Sequence, residues 1–281
     1  MNRLNPSITA EDTLTDTNLV TLYQLAQKAG EAILTVYGDE SRWQKQSKAD
    51  DTPVTAADIE SSRILVSGLA AVVDCPVVSE EALPPYAERV AWPQYWLVDP
   101  LDGTREFLHK TGEFVINIAL MRDHQPVFGF LYQPTTGLAW WGGPGQGAFR
   151  GQPGDARTMT GQDAGASLVA LGSRRSRWKG AWRDQLQQAG YDVQTESVGS
   201  ALKFARLAEG TADLYPRLGP TSEWDTAAPQ AILEATGGAI RQWNGAPLEY
   251  GKQNTLNPHF IAVGDSALLP VLTRDSAQSD Q

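Results

Sequence analysis

Cysteine is almost absent from this chain of 281 residues: Cys75 stands alone, so no disulfide forms within it. Histidine is nearly as scarce. His109, His124 and His259 are well separated, which argues against a Cys/His zinc site. Basic residues are outnumbered, 23 Lys and Arg against 33 Asp and Glu, for a formal net charge of −10. That sign argues against nucleic-acid polymers as partners, because those are held by Lys and Arg on phosphates. An anionic small molecule requires a local reversal of the field, and a metal ion supplies one. No apolar run approaches a membrane span. The polar stretch Met1 to Thr17 lacks the apolar centre of a secretory leader. These absences predict a cytoplasmic protein.

What is present is ordinary globular composition, 41% apolar and 20% charged. From Asn18 to Val36, Leu22, Leu25, Ala26, Ala29 and Ile33 recur at helical spacing, and Gly38 is a plausible stop. Residues 39–53 are polar and predict a turn or hairpin. A second helix is expected over 56–69. Short apolar runs then predict strands at 76–79, 95–99, 114–121, 126–132, 137–141 and 147–149. Further on, strands at 168–171, 191–197, 212–218 and 260–263 alternate with helices at 178–189, 200–209 and 226–235. An α+β half is followed by an α/β half. The Gly/Pro/Asp-rich stretch 151–155 is the expected boundary between residues 1–155 and 156–281.

The most informative segment is Asp99-Pro100-Leu101-Asp102-Gly103-Thr104. An apolar strand delivers Asp99 at its end, and Pro100 forces a turn. Asp102 follows within reach of a shared ion, and two acids with an exposed carbonyl suit a hard cation such as Mg²⁺. Free N–H groups after Gly103 suit phosphate oxygens. The same fragment also reads as a plain Asx turn. Two other clusters shift the balance: Ser79-Glu80-Glu81 ends another strand, and Trp224-Asp225-Thr226 opens a helix, where Asp225 alone reads as an N-cap.

Val54-Thr-Ala-Ala-Asp58, Ser79-Glu-Glu81, Asp99-Pro-Leu-Asp-Gly-Thr104 and Trp224-Asp-Thr-Ala-Ala228 together resemble the signature set of the inositol monophosphatase superfamily, over about residues 18–265. Ser47-Lys-Ala-Asp50, Gly112-Glu-Phe114, Gly199-Ser-Ala-Leu-Lys203 and Tyr215-Pro-Arg-Leu-Gly-Pro-Thr221 resemble its CysQ-type 3′(2′),5′-bisphosphate nucleotidase branch. The resemblance implies a layered αβαβα sandwich of the inositol monophosphatase and fructose-1,6-bisphosphatase type. It implies an N-terminal metal-binding domain and a C-terminal domain with nucleotide-side contacts. It also implies two or three Mg²⁺ ions per site. Glu80, Asp99 and the Leu101 carbonyl would hold one, and Asp99, Asp102 and Asp225 a second. Asp58 and Thr104 would orient the attacking water. Asp58 also reads as part of a capping box with Thr55, and Thr104 as an N-cap. Lys48 would face the metal site from a preceding loop, or be a solvated surface charge.

Substrate contacts implied by the resemblance are Glu80, Leu101, Asp102, Gly103, Thr104 and Asp225 on the phosphate side. On the nucleotide side they are Ser200, Lys203 and Arg217. Ser200 and Lys203 are expected on one helix face, with Arg217 on the following strand. Together they supply the positive charge that the whole chain lacks. The implied reaction removes the 3′-phosphate of adenosine 3′,5′-bisphosphate, with 3′-phosphoadenylyl sulfate a second substrate and Li⁺ an inhibitor. Inositol monophosphatase or sugar bisphosphatase activity is the alternative. A non-catalytic phosphoadenosine sensor would be expected to lose Asp58 or Thr104. Relatives also suggest a homodimer and peripheral contact with the inner membrane. Two departures stand out: Ser176 replaces a histidine common in the branch, and Pro229 falls where a helix capped by Asp225 needs an N–H. Trp140 and Trp141 read as sheet packing or an oligomer contact rather than a base-stacking platform.

Overall fold

The first expected helix is α1 (Asp16–Gly38), started by Thr15, whose hydroxyl accepts a bond from the Asn18 N–H. Leu22, Ala26, Ala29 and Ile33 are fully buried along one stripe of it. The second helix, α2 (Ala56–Gly68), packs against that stripe. The intervening hairpin is a short antiparallel pair, β1 (Gln46–Ser47) and β2 (Pro53–Val54). The structure, a computed structural model, describes residues 14–39, 41, 43, 46–47, 53–174 and 180–273. Lys48 and Ser176 lie outside the described residues.

A seven-stranded sheet follows in chain order: β3 (Val77–Ser79), β4 (Gln94–Asp102), β5 (Val115–Arg122), β6 (Gln125–Gln133), β7 (Leu138–Gly143), β8 (Gly147–Gln152) and β9 (Asp155–Met159). β3 and β4 are parallel, and the rest form an antiparallel meander. Short helices α3 (Tyr86–Arg89) and α4 (Thr104–Leu108) flank β4. β9 pairs with β8, so the sheet runs on past Asp155 to Met159.

The second sheet contains β10 (Ser167–Gly172), β11 (Asp192–Ser197), β12 (Leu214–Arg217), β13 (Ala239–Gln242) and β14 (Phe260–Val263), in the order β11-β10-β12-β14-β13. The helices of this half are α5 (Trp182–Gln188), α6 (Leu202–Ala208), α7 (Ala227–Glu234) and α8 (Leu269–Leu272).

Three apolar cores stack these elements into five layers. One lies between α1/α2 and the first sheet. The next lies between that sheet's other face, α6/α7 and the second sheet. The outermost lies between the second sheet and α5/α8. β4 feeds two of them: Trp96 and Val98 enter the first core, Tyr95 and Leu97 the second. That explains its uninterrupted apolar run, since a strand covered on both faces has no polar alternation. Gly129 on β6 lets α7 approach closely, because a Cβ there would sit 2.1 Å from the Ala228 carbonyl oxygen. The result is the expected αβαβα sandwich.

Trp140 and Trp141 are internal. Trp140 donates to Glu209, and Trp141 stacks between Phe130 and Phe149. Their place is packing within the sheet.

Candidate active site

In an unbroken strand, residues three apart point to opposite faces. Asp99 and Asp102 avoid this because the β4–β5 register shifts between them. Pro100, at that shift, cannot donate to the ladder, and the Ser61 hydroxyl secures its carbonyl at 2.8 Å. The Asp99 carboxylate accepts from the Leu101 N–H at 3.0 Å, and that of Asp102 from the Ala201 N–H.

Asp225 arrives from the other half of the chain, on one turn of 3-10 helix (Glu223–Asp225). It forms a capping box with Ser222, whose N–H donates to its carboxylate at 2.9 Å. Helix α7 therefore begins one residue later than expected, with Thr226 as its cap. Pro229 falls in the first turn, where an N–H has no helical acceptor, and the first helical bond is Gln230 N–H to the Thr226 carbonyl. Pro229 is thus accommodated by a shifted start.

Oxygens of Asp99, Asp102 and Asp225 lie within 4.8 Å of one another. Burial, then the charges of Glu80, Asp102 and Asp225, push Asp99 well above the usual carboxylate range. Burial raises Asp102 to about 6, despite the opposing pull of Lys203. It raises Asp225 to about 7, with Asp102 and Glu80 adding repulsion. Glu80 follows β3, its N–H bonded to the Val98 carbonyl at 3.1 Å; its charge is felt by Asp99 and Asp225, but its carboxylate is not among the oxygens gathered within 4.8 Å. Such a group is stable when ionised only with a cation among its members. The donors are oxygens throughout, with no thiol or imidazole, which fits a hard divalent ion.

Asp58 and Thr104 meet beside this cluster. The Thr104 hydroxyl lies 3.2 Å from Asp58 Oδ1 and 3.4 Å from the Leu101 carbonyl oxygen. The other Asp58 oxygen accepts from the Thr55 N–H at 2.8 Å and its hydroxyl at 2.6 Å. The capping box is therefore real, and it leaves Oδ1 for Thr104. Burial raises Asp58 to about 6 against these bonds, helped by Glu81 and Glu80. Gly103 precedes Thr104 at φ 98°, where a Cβ would sit 3.1 Å from the Glu113 carbonyl oxygen.

Beyond the acids opens a cleft of about 170 Å³. Its lining brings Asp102, Gly103 and Asp225 together with Ser200, Lys203, Tyr215 and Arg217. Ser200 is not on the expected helix face. It precedes α6 in a left-handed turn at φ 48°, and Lys203 folds back to the carbonyls of Ser200 and Val198. That ammonium also lies 5.0 Å from the centre of the Tyr215 ring. Burial pulls Lys203 down to about 8, against Asp102, which favours its charge. Arg217 comes from β12, as expected, and donates to the Gly219 and Pro220 carbonyls at 3.2 and 2.7 Å.

Three contributors escaped sequence reasoning. Glu113 accepts from the Gly199 N–H at 2.7 Å and pairs with Arg174, steadying the Ser200 turn. Tyr215 lies beside Lys203. Glu106 reaches the cleft from α4. Glu113 and Tyr215 sit inside strings already singled out, but nothing in their spacing marks the contacts.

The inositol monophosphatase family model matches residues 15–280. A 3′(2′),5′-bisphosphate nucleotidase, CysQ, of Escherichia coli strain K12 is 43% identical over 239 residues, covering 84% of this chain and 96% of that protein. The chain belongs to the inositol monophosphatase family. It is a phosphoric monoester hydrolase. CysQ of Bacteroides thetaiotaomicron superposes with a TM-score of 0.75 at 35% identity, covering 88% of this chain and 97% of that one. The suhB protein of Bartonella henselae does so with 0.72 at 25% identity, covering 90% and 96%. Among the described residues no helix is long and apolar enough to cross a membrane.

Proposed function

We propose that the protein is a Mg²⁺-dependent 3′(2′),5′-bisphosphate nucleotidase. It would convert adenosine 3′,5′-bisphosphate to AMP and phosphate, and accept 3′-phosphoadenylyl sulfate as a second substrate. The observation that carries this reading is one cleft lined both by acids of the cluster able to hold divalent ions and by Lys203 and Arg217. The near full-length match to a nucleotidase of that name supports the substrate.

Glu80, Asp99, the Leu101 carbonyl, Asp102 and Asp225 would hold the ions. Bound there, Mg²⁺ supplies charge neutralisation and Lewis acidity toward water and the leaving oxygen. The remaining roles belong to the chain. Thr104 donates its proton to Asp58, so its oxygen keeps lone pairs to accept a bond from the attacking water. The capping box holds Asp58 rigid for that purpose. The Gly103 turn leaves room for a phosphate against the N–H groups that open α4. Ser200, Lys203 and Arg217 bind the nucleotide portion, away from the phosphate being removed.

The test is phosphate release from adenosine 3′,5′-bisphosphate, inositol 1-phosphate and fructose 1,6-bisphosphate, in Mg²⁺ with and without Li⁺. Preference for the nucleotide, AMP as co-product and inhibition by Li⁺ are expected. Preference for either sugar substrate would overturn the nucleotide reading.

A further inference from the structure

Asp225 rides on a single turn of 3-10 helix, too short to fix a carboxylate by itself. Residues on both sides of it are tied to one distant segment, residues 249–257. The Asn257 N–H donates to the Thr221 carbonyl at 2.8 Å, and the Glu223 N–H to the Thr255 carbonyl at 2.9 Å. The Asn257 amide nitrogen lies 2.7 Å from the Ser222 carbonyl oxygen and 3.0 Å from the Thr226 hydroxyl. One buried side chain therefore joins the residue that opens the turn to the residue that follows Asp225. On the turn itself, the buried Glu223 carboxylate accepts from the Gly251 and Lys252 N–H groups at 2.9 and 3.0 Å. The Lys252 ammonium completes the grip at 2.7 Å.

The segment has further anchors. Arg89 donates to the Lys252 carbonyl at 2.6 Å, and the Tyr250 hydroxyl to Gln230 at 2.7 Å. No residue of 249–257 lines the cleft, so its influence on the site passes through the turn. The Ser222 N–H orients the Asp225 carboxylate at 2.9 Å, and Ser222 is itself held by Asn257. Outer partners of this kind set the direction and basicity of an ion-binding oxygen.

We propose that residues 249–257 are a positioning strap for Asp225, and that Asn257 and Glu223 set how tightly the acid cluster binds its divalent ion. This rests on the metal-binding reading above. Neither residue lines the cleft; both are positioning residues.

The experiment is calorimetric titration of the full chain with Mg²⁺, without substrate, alongside rates as a function of Mg²⁺. The variants are Asn257→Leu, nearly the same size without donors, and Glu223→Gln. Leu186→Ala, in the distant outer core, is the control for general destabilisation. Both strap variants should weaken Mg²⁺ binding and raise half-saturating Mg²⁺ by roughly tenfold or more. Their kcat at saturating Mg²⁺ should fall much less. Leu186→Ala should lower the melting temperature and leave Mg²⁺ affinity unchanged. If one strap variant does not fold, the other carries the test. Strap variants that melt earlier yet bind Mg²⁺ as tightly as the wild type overturn the strap. Absence of Mg²⁺ binding by the wild type overturns the underlying metal reading instead.

Discussion

The acidic and the basic groups of the cleft, its two chemical walls, solve the burial of charge to different degrees. On the basic wall the protein supplies much of the compensation. Lys203 is tied to the Val198 and Ser200 carbonyls, and Arg217 to those of Gly219 and Pro220. On the acidic wall compensation is incomplete. Asp99, Asp102 and Asp225 receive one backbone N–H each, and all three are pushed toward the neutral form. The basic wall is compensated in part by the fold, with burial still pulling Lys203 down to about 8, whereas the acidic wall would, under the proposed function, be completed by an ion. The acidic wall should therefore govern metal dependence and rate, and the basic wall recognition.

The sharpest way to break this division is Asp99→Asn. Turnover should vanish on every substrate, because the most buried acid of the cluster is lost. The metal-free protein should still fold, since the change relieves repulsion. Phosphate release and a melting curve check both halves; near-normal turnover at saturating Mg²⁺ refutes the role of that wall.

Thr104→Ala should lower kcat by roughly a hundredfold to ten-thousandfold on nucleotide and sugar phosphates alike, as loss of water orientation would. A change in KM alone would move Thr104 from chemistry to binding.

On the other wall, Arg217→Ala should raise KM for adenosine 3′,5′-bisphosphate by roughly tenfold to a hundredfold, for a charge-assisted contact of ~1.5–3 kcal/mol. Activity on inositol 1-phosphate should hardly change. Equal losses on both substrates would make Arg217 structural and erase the distinction between the walls.

The smallest effect is on stability against pH in the absence of metal. Asp58, Asp102 and Asp225 have folded-state values raised to about 6, 6 and 7. Between the unfolded carboxylate range, about 4, and those values, the folded protein binds more protons than the unfolded chain. Stability must then fall as pH rises through that window. The melting temperature in EDTA should decline between pH 5 and pH 8, by scanning calorimetry, and Mg²⁺ should reduce the decline. A metal-free protein that stabilises over this range contradicts the uncompensated burial, and the added repulsion, inferred for these acids.

The acidic wall was largely legible in the sequence because its signals are local. Asp99, Asp102 and Glu80 sit at strand ends beside residues that force turns, and Thr55 and Asp58 have capping-box spacing. The basic wall was legible only as residues, not as geometry. Ser200 and Lys203 suggest a helix face, yet the left-handed Ser200 sits in a turn before α6. The 249–257 strap was not legible at all. Its contacts run to backbone groups some thirty residues away, and polar loop residues carry no periodicity. The missed strands β9 and β13 have the same explanation, being short and mostly uncovered by large apolar side chains. β4, buried on both faces, announces itself in an apolar run.

The most direct measurement is a crystal structure of Asp58→Asn, expected to bind without turnover, with adenosine 3′,5′-bisphosphate and Mn²⁺ in place of Mg²⁺. Anomalous density should appear among Asp99, Asp102 and Asp225, with the 3′-phosphate against it and the adenosine portion along Ser200, Lys203 and Arg217. Metal density elsewhere, or the nucleotide bound away from the Lys203–Arg217 wall, would contradict the division of labour between the two walls.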